Sequence, residues 1–520
     1  MEREQIEGAA LGGAPRWTFR APLILAAIVI CGINGLNLAR LVPTHAPCSP
    51  WEAIQVVESW RSLHGLPVYE LAADGHATHF YGALAPWFQG EVFRWFGPSN
   101  IAGRILTLLS ALALVTLIAL CMRTKGSAWT TMIVWAALLG CNHRSFQYYR
   151  ENRPDMTALF LGSVALVILY RGMERRGTWW VLLGTAWLIV SFFFKQTTLV
   201  FATVPAIVLA LRGRWPSRKE ILLALVPLAA AAGTVFWLKA FCPAIYHYMI
   251  EVPASFRISW TRAAALTRVF LLESPLFLIL LGEWLVAEGG SIRKDARMAW
   301  VLAVLIVALP SGAMAQAKFG GTPNSMLPPM LAMMAFCGLR LPNALAWLER
   351  SMQSPRGRVT MGSFAAAILL LTIFPRSYLF VARPSWALSY DKVIAATASL
   401  PGKVICPEDP TIPLFARSYA GLALFGEMDA HAENGFWPKE MPRRVVDEMR
   451  SADYVIEVKD YWNGHLDLKA LERLGFKPDD QMFPDAINYR FWRRTTAPGL
   501  TGSRTAWNDG VNGKPASATE

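Results

Sequence analysis

The sequence predicts a polytopic α-helical membrane protein carrying a small α/β domain at its C-terminal end. Three observations predict this. Of the 520 residues, 54% are hydrophobic and only 17% are charged. Long apolar runs such as APLILAAIVICGINGLNLA and MGSFAAAILLLTIF recur through residues 1–382, and runs of about 17 to 25 apolar residues suffice to cross the hydrocarbon core. From residue 383 the runs give way to short strand-like and helix-like segments.

Hydropathy places the spans and basic loops orient them, because Lys and Arg concentrate in short cytoplasmic loops. The run 21–41 follows Arg16 and Arg20 with no small-x-small cleavage site, so it reads as an uncleaved first span with the N-terminus in the cytoplasm. Residues 42–99 form a long outer loop. The run 100–122 ends inside at Arg123 and Lys125, 128–146 exits, and 155–171 returns to Arg171, Arg175 and Arg176. The run Trp179 to Leu211 is broken at Lys195-Gln196-Thr197, which predicts two short helices meeting near the outer face. The loop RGRWPSRKE lies inside, 220–241 exits, and 243–268 is an outer segment. The run 269–288 returns to Arg293, Lys294 and Arg297, 298–315 exits at AKFGGTPN, 323–340 returns to Arg340, and 360–380 exits. The total is about eleven spans under the positive-inside rule.

An odd number of spans puts residues 383–496 outside. There KVICPED, ADYVIEVKD and NYRFWRR read as strands and LKALERLGF as an amphipathic helix, an α/β alternation. The tail 497–520, rich in Gly, Ser, Thr and Asn, reads as disordered. The net charge of +13 resides mainly in the inner loops, which argues against nucleic acid as a partner. Seven Cys are scattered without a CxxC, and no spacing pairs the two outer ones, Cys48 and Cys406.

On this topology the polar residues converge on the outer face. The first loop carries Glu52, Glu58, Arg61, His64, Asp74, His76, His79 and Tyr81. RENRPD (Arg150 to Asp155) opens the second outer position, Lys195 and Gln196 mark the third, Arg257 and Arg262 the fourth, and Lys318 to Asn324 the fifth. Ionisable groups at a membrane boundary are costly to desolvate, so they usually face a cavity and a partner. Pro154 fits a first helical turn. Asp155 then suits either a helix-capping carboxylate paired with Arg150 or Arg153, or a carboxylate that positions a sugar hydroxyl or a metal. Glu52 begins EAIQVVESWRSLHG, an amphipathic helix expected to lie on the membrane with Ala53, Val56, Val57 and Trp60 on its apolar side. It is either a first-turn acid or a general base. Lys195 either snorkels to the interface or, with Arg153, Arg257 and Lys318, holds a lipid phosphate. HFYGALAPWF, with His79 and Tyr81, either lines a sugar site by stacking or belongs to an interfacial aromatic belt. The His residues lack the H-E-x-x-H and H-x-x-E-H spacings of zinc sites.

These residues, in this order, resemble the integral-membrane GT-C glycosyltransferases, especially the bacterial branch related to protein O-mannosyltransferases and lipid A aminoarabinose transferases. Glu52 is followed by Gly65-Leu66-Pro67-Val68-Tyr69, a G-x-P-x-Y turn, and by Tyr81-Gly82-Ala83-Leu84-Ala85-Pro86-Trp87. Arg153-Pro154-Asp155 opens a later span, Lys195-Gln196-Thr197 forms a K-Q-T turn, and Gly320 to Asn324 gives G-x-x-x-N before a late span. The sequence departs from the pattern in two places. Cys48-Ser49-Pro50 precedes Glu52 where many members carry a second acid, and His79-Phe80-Tyr81 stands where the aminoarabinose branch has Lys-Pro. The resemblance implies transfer of a sugar, with inversion, from a polyprenyl-phosphate carrier to a lipid, glycan or protein acceptor on the outer face of the inner membrane. It implies Glu52 as base or positioning group, Asp155 as the second-loop acid, and Lys195 with Arg153 on the carrier phosphate. A divalent ion, Mg or Mn, would fall to Glu52 and Asp155. The rival readings are a lipid or polysaccharide transporter, which should show internal repeats and midplane charges, and a non-catalytic envelope scaffold.

Overall fold

The computed structural model describes residues 17–71, 79–122, 147–288, 295–318, 321–351, 389–417, 421–432, 438–459, 466–482 and 488–495, with single positions at 360, 362, 363, 366, 387 and 419. The expected span 128–146, most of the expected span 360–380, Asp74, His76, Gly320 and the tail lie outside the described residues.

Helix α1 (Trp17–Leu41) leads to α2 (Pro50–Leu63), α3 (Leu84–Phe96) and α4 (Asn100–Cys121). Helix α5 (Asp155–Arg175) starts immediately after RENRP and ends at Arg176, a left-handed residue at φ 51°. Helix α6 (Thr178–Phe194) stops at Lys195, and a 3₁₀ stretch Gln196–Thr203 runs into α7 (Val204–Leu211). Helix α8 (Arg218–Phe241) begins with a capping box between Ser217 and Glu220. Helices α9 (Trp260–Leu272) and α10 (Pro275–Glu288) meet at 83°, and α11 (Ala296–Ala317) and α12 (Leu327–Ser351) complete the described membrane part. Among the described residues, five helices are long and apolar enough to cross a membrane: Ala21–Leu41, Asn100–Cys121, Asp155–Arg175, Arg218–Phe241 and Ala296–Ala317. The bent pair α9–α10 makes a sixth if it is one span, and Thr178–Phe194 and Gln196–Leu211 are shorter apolar helices. The break at Lys195-Gln196-Thr197 thus stands where the sequence put it.

The last part of the chain folds around a four-stranded sheet. Strands β1 (Val404–Ile405), β2 (Tyr454–Val458), β3 (Phe476–Pro478) and β4 (Tyr489–Arg494) lie in the order β1-β2-β4-β3. β1 runs parallel to β2 (Val404 opposite Tyr454), and β4 is antiparallel to both β2 and β3. The period-two alternation of a strand sends Tyr454, Ile456 and Val458 to one face and Val455 to the other. The first face packs on Tyr390 and Val393 of α13 (Tyr390–Ser399) and on Ile412 of α14 (Thr411–Arg417). The second packs on Leu424 and Met428 of α15 (Leu424–Ala430), Val445 and Met449 of α16 (Arg443–Ser451), and Leu471 of α17 (Leu468–Arg473). Both faces are covered, so the strands read as apolar. The sequence missed β3 because FKP is too short to show a period.

One expectation about α2 is corrected. Its apolar side does not lie on lipid. Val56, Val57 and Trp60 pack on Phe93 of α3 and Leu414 of α14, and Ile54 packs on Ala423 and Phe425. The helix is buried from Glu52 through Arg61, because the α/β unit covers the face that an amphipathic pattern alone would assign to the bilayer.

The α/β unit also holds acids in dry surroundings. Glu408 is 2% exposed, and its Oε2 accepts the Val458 N–H at 2.8 Å. Burial pushes its carboxyl from 4.5 up to about 8, and pushes that of Asp409 up to about 6. A carboxyl whose folded value is raised favours the fold while it is protonated; that contribution is complete below the unfolded value and is lost as pH rises through the folded one. The thermal stability of the full chain is therefore expected to fall between about pH 5 and pH 9. Glu408→Gln should flatten this fall, measured by melting both proteins across the same pH series. Parallel curves for the two would count against it.

Candidate functional site

The site is assembled where four segments end at one level. The first is the start of α5. Pro154 occupies the N-cap position, and Asp155 is the first helical residue and is 3% exposed. The second is the break after α6. Lys195 has extended backbone (φ −154°, ψ 127°), and its carbonyl is held by the Thr198 hydroxyl at 3.0 Å. That break turns the Lys195 side chain onto Asp155, and its Nζ donates to Asp155 Oδ1. The third is the 3₁₀ turn Pro323–Met326 ahead of α12, from which Asn324 Nδ2 donates to the same Oδ1 at 2.9 Å. The Thr322 hydroxyl fixes the Asn324 amide by donating to its Oδ1 at 2.5 Å. The other oxygen, Asp155 Oδ2, is buried and has no hydrogen-bond partner among the described residues.

The fourth segment is the first outer loop. The Tyr81 ring lies 5.6 Å from Lys195 Nζ. Gln196 Nε2 donates to the Phe80 carbonyl at 3.2 Å, and the Gly82 N–H donates to the Phe194 carbonyl at 3.3 Å. These two bonds fasten the His79–Gly82 stretch to the Lys195 turn. A Cβ on Gly82 would meet the Phe193 carbonyl oxygen at 1.9 Å, so only glycine permits this approach. His79 is fully buried, with Nδ1 hydrogen-bonded to Glu58 Oε2.

Arg153 closes the site beside Asp155. Its guanidinium lies over the Tyr148 ring at 4.8 Å and the Trp51 ring at 6.0 Å, and it donates from Nη2 to Ser49 Oγ at 3.3 Å. Its Nε is paired with Glu151 at 2.8 Å. Burial disfavours charge on both partners; Glu151 more than offsets this for Arg153, whose guanidinium is held above its ordinary value. The Glu151 carboxyl is raised by burial despite Arg153.

Thus Asp155, Arg153, Lys195, Gln196, Tyr81, His79 and Asn324, named from the sequence, are brought together or into contact with the same segments. Lys318 is placed differently. Its Nζ donates to the Pro253 carbonyl at 2.7 Å, and its backbone pairs with Ile258. Arg257 is exposed next to that bridge. Both cations sit at the bridge that joins the segment after α8 to the end of α11.

Glu52 corrects the expectation most. It is fully buried, and each carboxylate oxygen receives two donors. Arg104 Nε donates to Oε1 at 2.9 Å and Nη2 to Oε2 at 2.6 Å. The Asn152 N–H reaches Oε1 at 2.5 Å, and the Cys48 N–H reaches Oε2. Burial alone would push the Glu52 carboxyl up. The Arg104 guanidinium and the two backbone N–H groups outweigh it and hold the carboxyl below its usual range. A carboxylate so occupied is a poor proton acceptor. The same geometry does not fit a divalent ion shared by Glu52 and Asp155, since the Glu52 oxygens are filled and Asp155 faces an ammonium. Among the described residues, no group of three or more His, Cys, Asp or Glu side chains could hold a metal.

Sequence reasoning missed Arg104, Glu151, Tyr148 and Ser49. Arg104 carried a usable signal: a lone arginine in the first turns of an apolar span needs a buried partner. Glu151 and Tyr148 carried none beyond their nearness to Asp155.

No family model and no curated protein matches the sequence. Solved structures do. ArnT from Cupriavidus metallidurans in the apo state superposes with a TM-score of 0.57 at 13% identity, over 92% of this chain and 99% of that one. The same protein bound to undecaprenyl phosphate gives 0.54 at 14% identity over the same shares. At such identities the likeness is one of fold. The chain therefore shares the fold of these ArnT structures.

Proposed function

We propose that the protein is an inverting glycosyltransferase that moves a sugar from a polyprenyl-phosphate carrier to an envelope acceptor (a lipid, glycan or protein) at the outer face of the inner membrane. The single observation that carries the reading is the buried Asp155–Lys195–Asn324 cluster beside Arg153, built from helix ends at one level. Two cations set among aromatic rings suit a phosphate whose lipid tail enters from the bilayer. Arg153 and Lys195 hold the carrier phosphate and stabilise its charge as it leaves. Asp155 keeps Lys195 in place and offers Oδ2 to a sugar hydroxyl. Tyr81, Tyr148 and Trp51 wall the sugar. The N-terminus lies in the cytoplasm and the α/β unit outside. The match to an ArnT structure that contains undecaprenyl phosphate supports a donor of this chemical class.

The test incubates purified protein with a panel of radiolabelled polyprenyl-phosphate sugars and a membrane extract as acceptor. Release of free carrier with label appearing in the extract is the expected result. Unchanged donor across the panel would defeat the proposal.

A further inference from the structure

We propose that His79, oriented by Glu58, is the general base that takes the proton from the acceptor nucleophile; this rests on the sugar-transfer reading above. Glu52 is already saturated by Arg104, Asn152 and Cys48. Asp155 is engaged as the counter-ion of Lys195. Among the described residues near the site, the buried pair His79–Glu58 is titratable and is used by neither binding nor charge balance.

Three features make it fit. With Glu58 accepting from Nδ1–H, the lone pair of a neutral His79 falls on Nε2, the arrangement a base requires. Nε2 is buried and has no hydrogen-bond partner among the described residues, and an unpaired buried polar atom is costly unless a bound group completes it. The ring is also close to the reaction level. Its centroid lies 5.6 Å from that of Tyr81, whose ring faces Lys195, and 5.4 Å from that of Tyr69. The Tyr69 hydroxyl donates to the Tyr81 carbonyl, so this stretch is fixed at both ends.

The step balances. The acceptor O–H gives its proton to His79 Nε2 as its oxygen forms a bond to the anomeric carbon. The bond from that carbon to the phosphate oxygen breaks, and its electron pair leaves with the phosphate beside Lys195 and Arg153. His79 then releases the proton to water.

The test uses the full chain and the labelled donor that the wild type turns over. His79→Asn, whose amide can still donate to Glu58 in place of Nδ1, should lower kcat at least a hundredfold, the low end of the range for general-base catalysis, while undecaprenyl phosphate binding and melting temperature stay at wild-type values. Glu58→Gln, which removes the positioning group, should lower kcat tenfold or more without changing the donor KM, and Glu58→Asp should recover part of the loss. Turnover of His79→Asn within threefold of wild type would overturn the assignment, and so would a loss of kcat accompanied by lost carrier binding or lost stability. A wild type inert toward every donor would instead remove the sugar-transfer reading itself.

Discussion

Asp155→Asn is expected to reduce sugar transfer by at least a hundredfold while the protein still inserts and folds. The substitution keeps the shape of the side chain and an oxygen for Asn324, but it removes the charge that balances Lys195. Lys195 is only 8% exposed, and a buried ion that loses its partner is strongly destabilised. The ammonium then sheds its proton or turns away, and the carrier phosphate loses one of its two cations. Removing one preorganised electrostatic contact costs about 10² to 10³ in turnover. Carrier release by wild type and variant, compared in one detergent preparation, reads the effect directly. Full turnover by Asp155→Asn would remove the proposed site.

The second large effect falls on stability. Arg104 is completely buried and donates to Glu52, to the carbonyls of Leu41, Thr44 and Ala46 at 3.0, 2.6 and 2.7 Å, and to the Thr44 hydroxyl at 2.8 Å. It ties the end of α1, the following turn and the start of α2 to one point on α4. Arg104→Ala leaves the Glu52 carboxylate buried with no counter-charge, a loss of about 3–5 kcal/mol by analogy with other broken buried pairs. Glu52→Gln breaks the same pair from the other side, so any loss of transfer in that variant is expected to track loss of folded protein. Thermal melts of the two single variants and of the double variant Arg104→Ala/Glu52→Gln measure this. The double variant should be much less destabilised than the sum of the singles, because the two side chains act as one unit. An Arg104→Ala protein that melts like wild type would refute the clamp.

Much of the architecture was legible because the bilayer imposes long apolar runs. The break at Lys195 and the helix start at Pro154-Asp155 could be read because Pro and the polar triplet Lys195-Gln196-Thr197 interrupt such runs visibly. The α/β unit could be read from the alternation in YVIEV and RFW. The misreadings share one physical origin. The apolar face of α2 looked lipidic because a sequence does not say whether lipid or protein covers a face. Glu52 looked catalytic because its partner Arg104 is 52 residues away. Of the site, the residue types were readable and the pairing was not.

Helix α2 has a final consequence. It carries Glu52 and Glu58 on the same turns whose other side chains seat Leu414 and Phe425 of the C-terminal unit. The extramembrane portion is therefore no detachable appendage. Cutting the chain ahead of it would uncover Val56, Val57 and Trp60 to water and loosen the scaffold beneath the two acids, so this protein is to be handled, stored and assayed only whole.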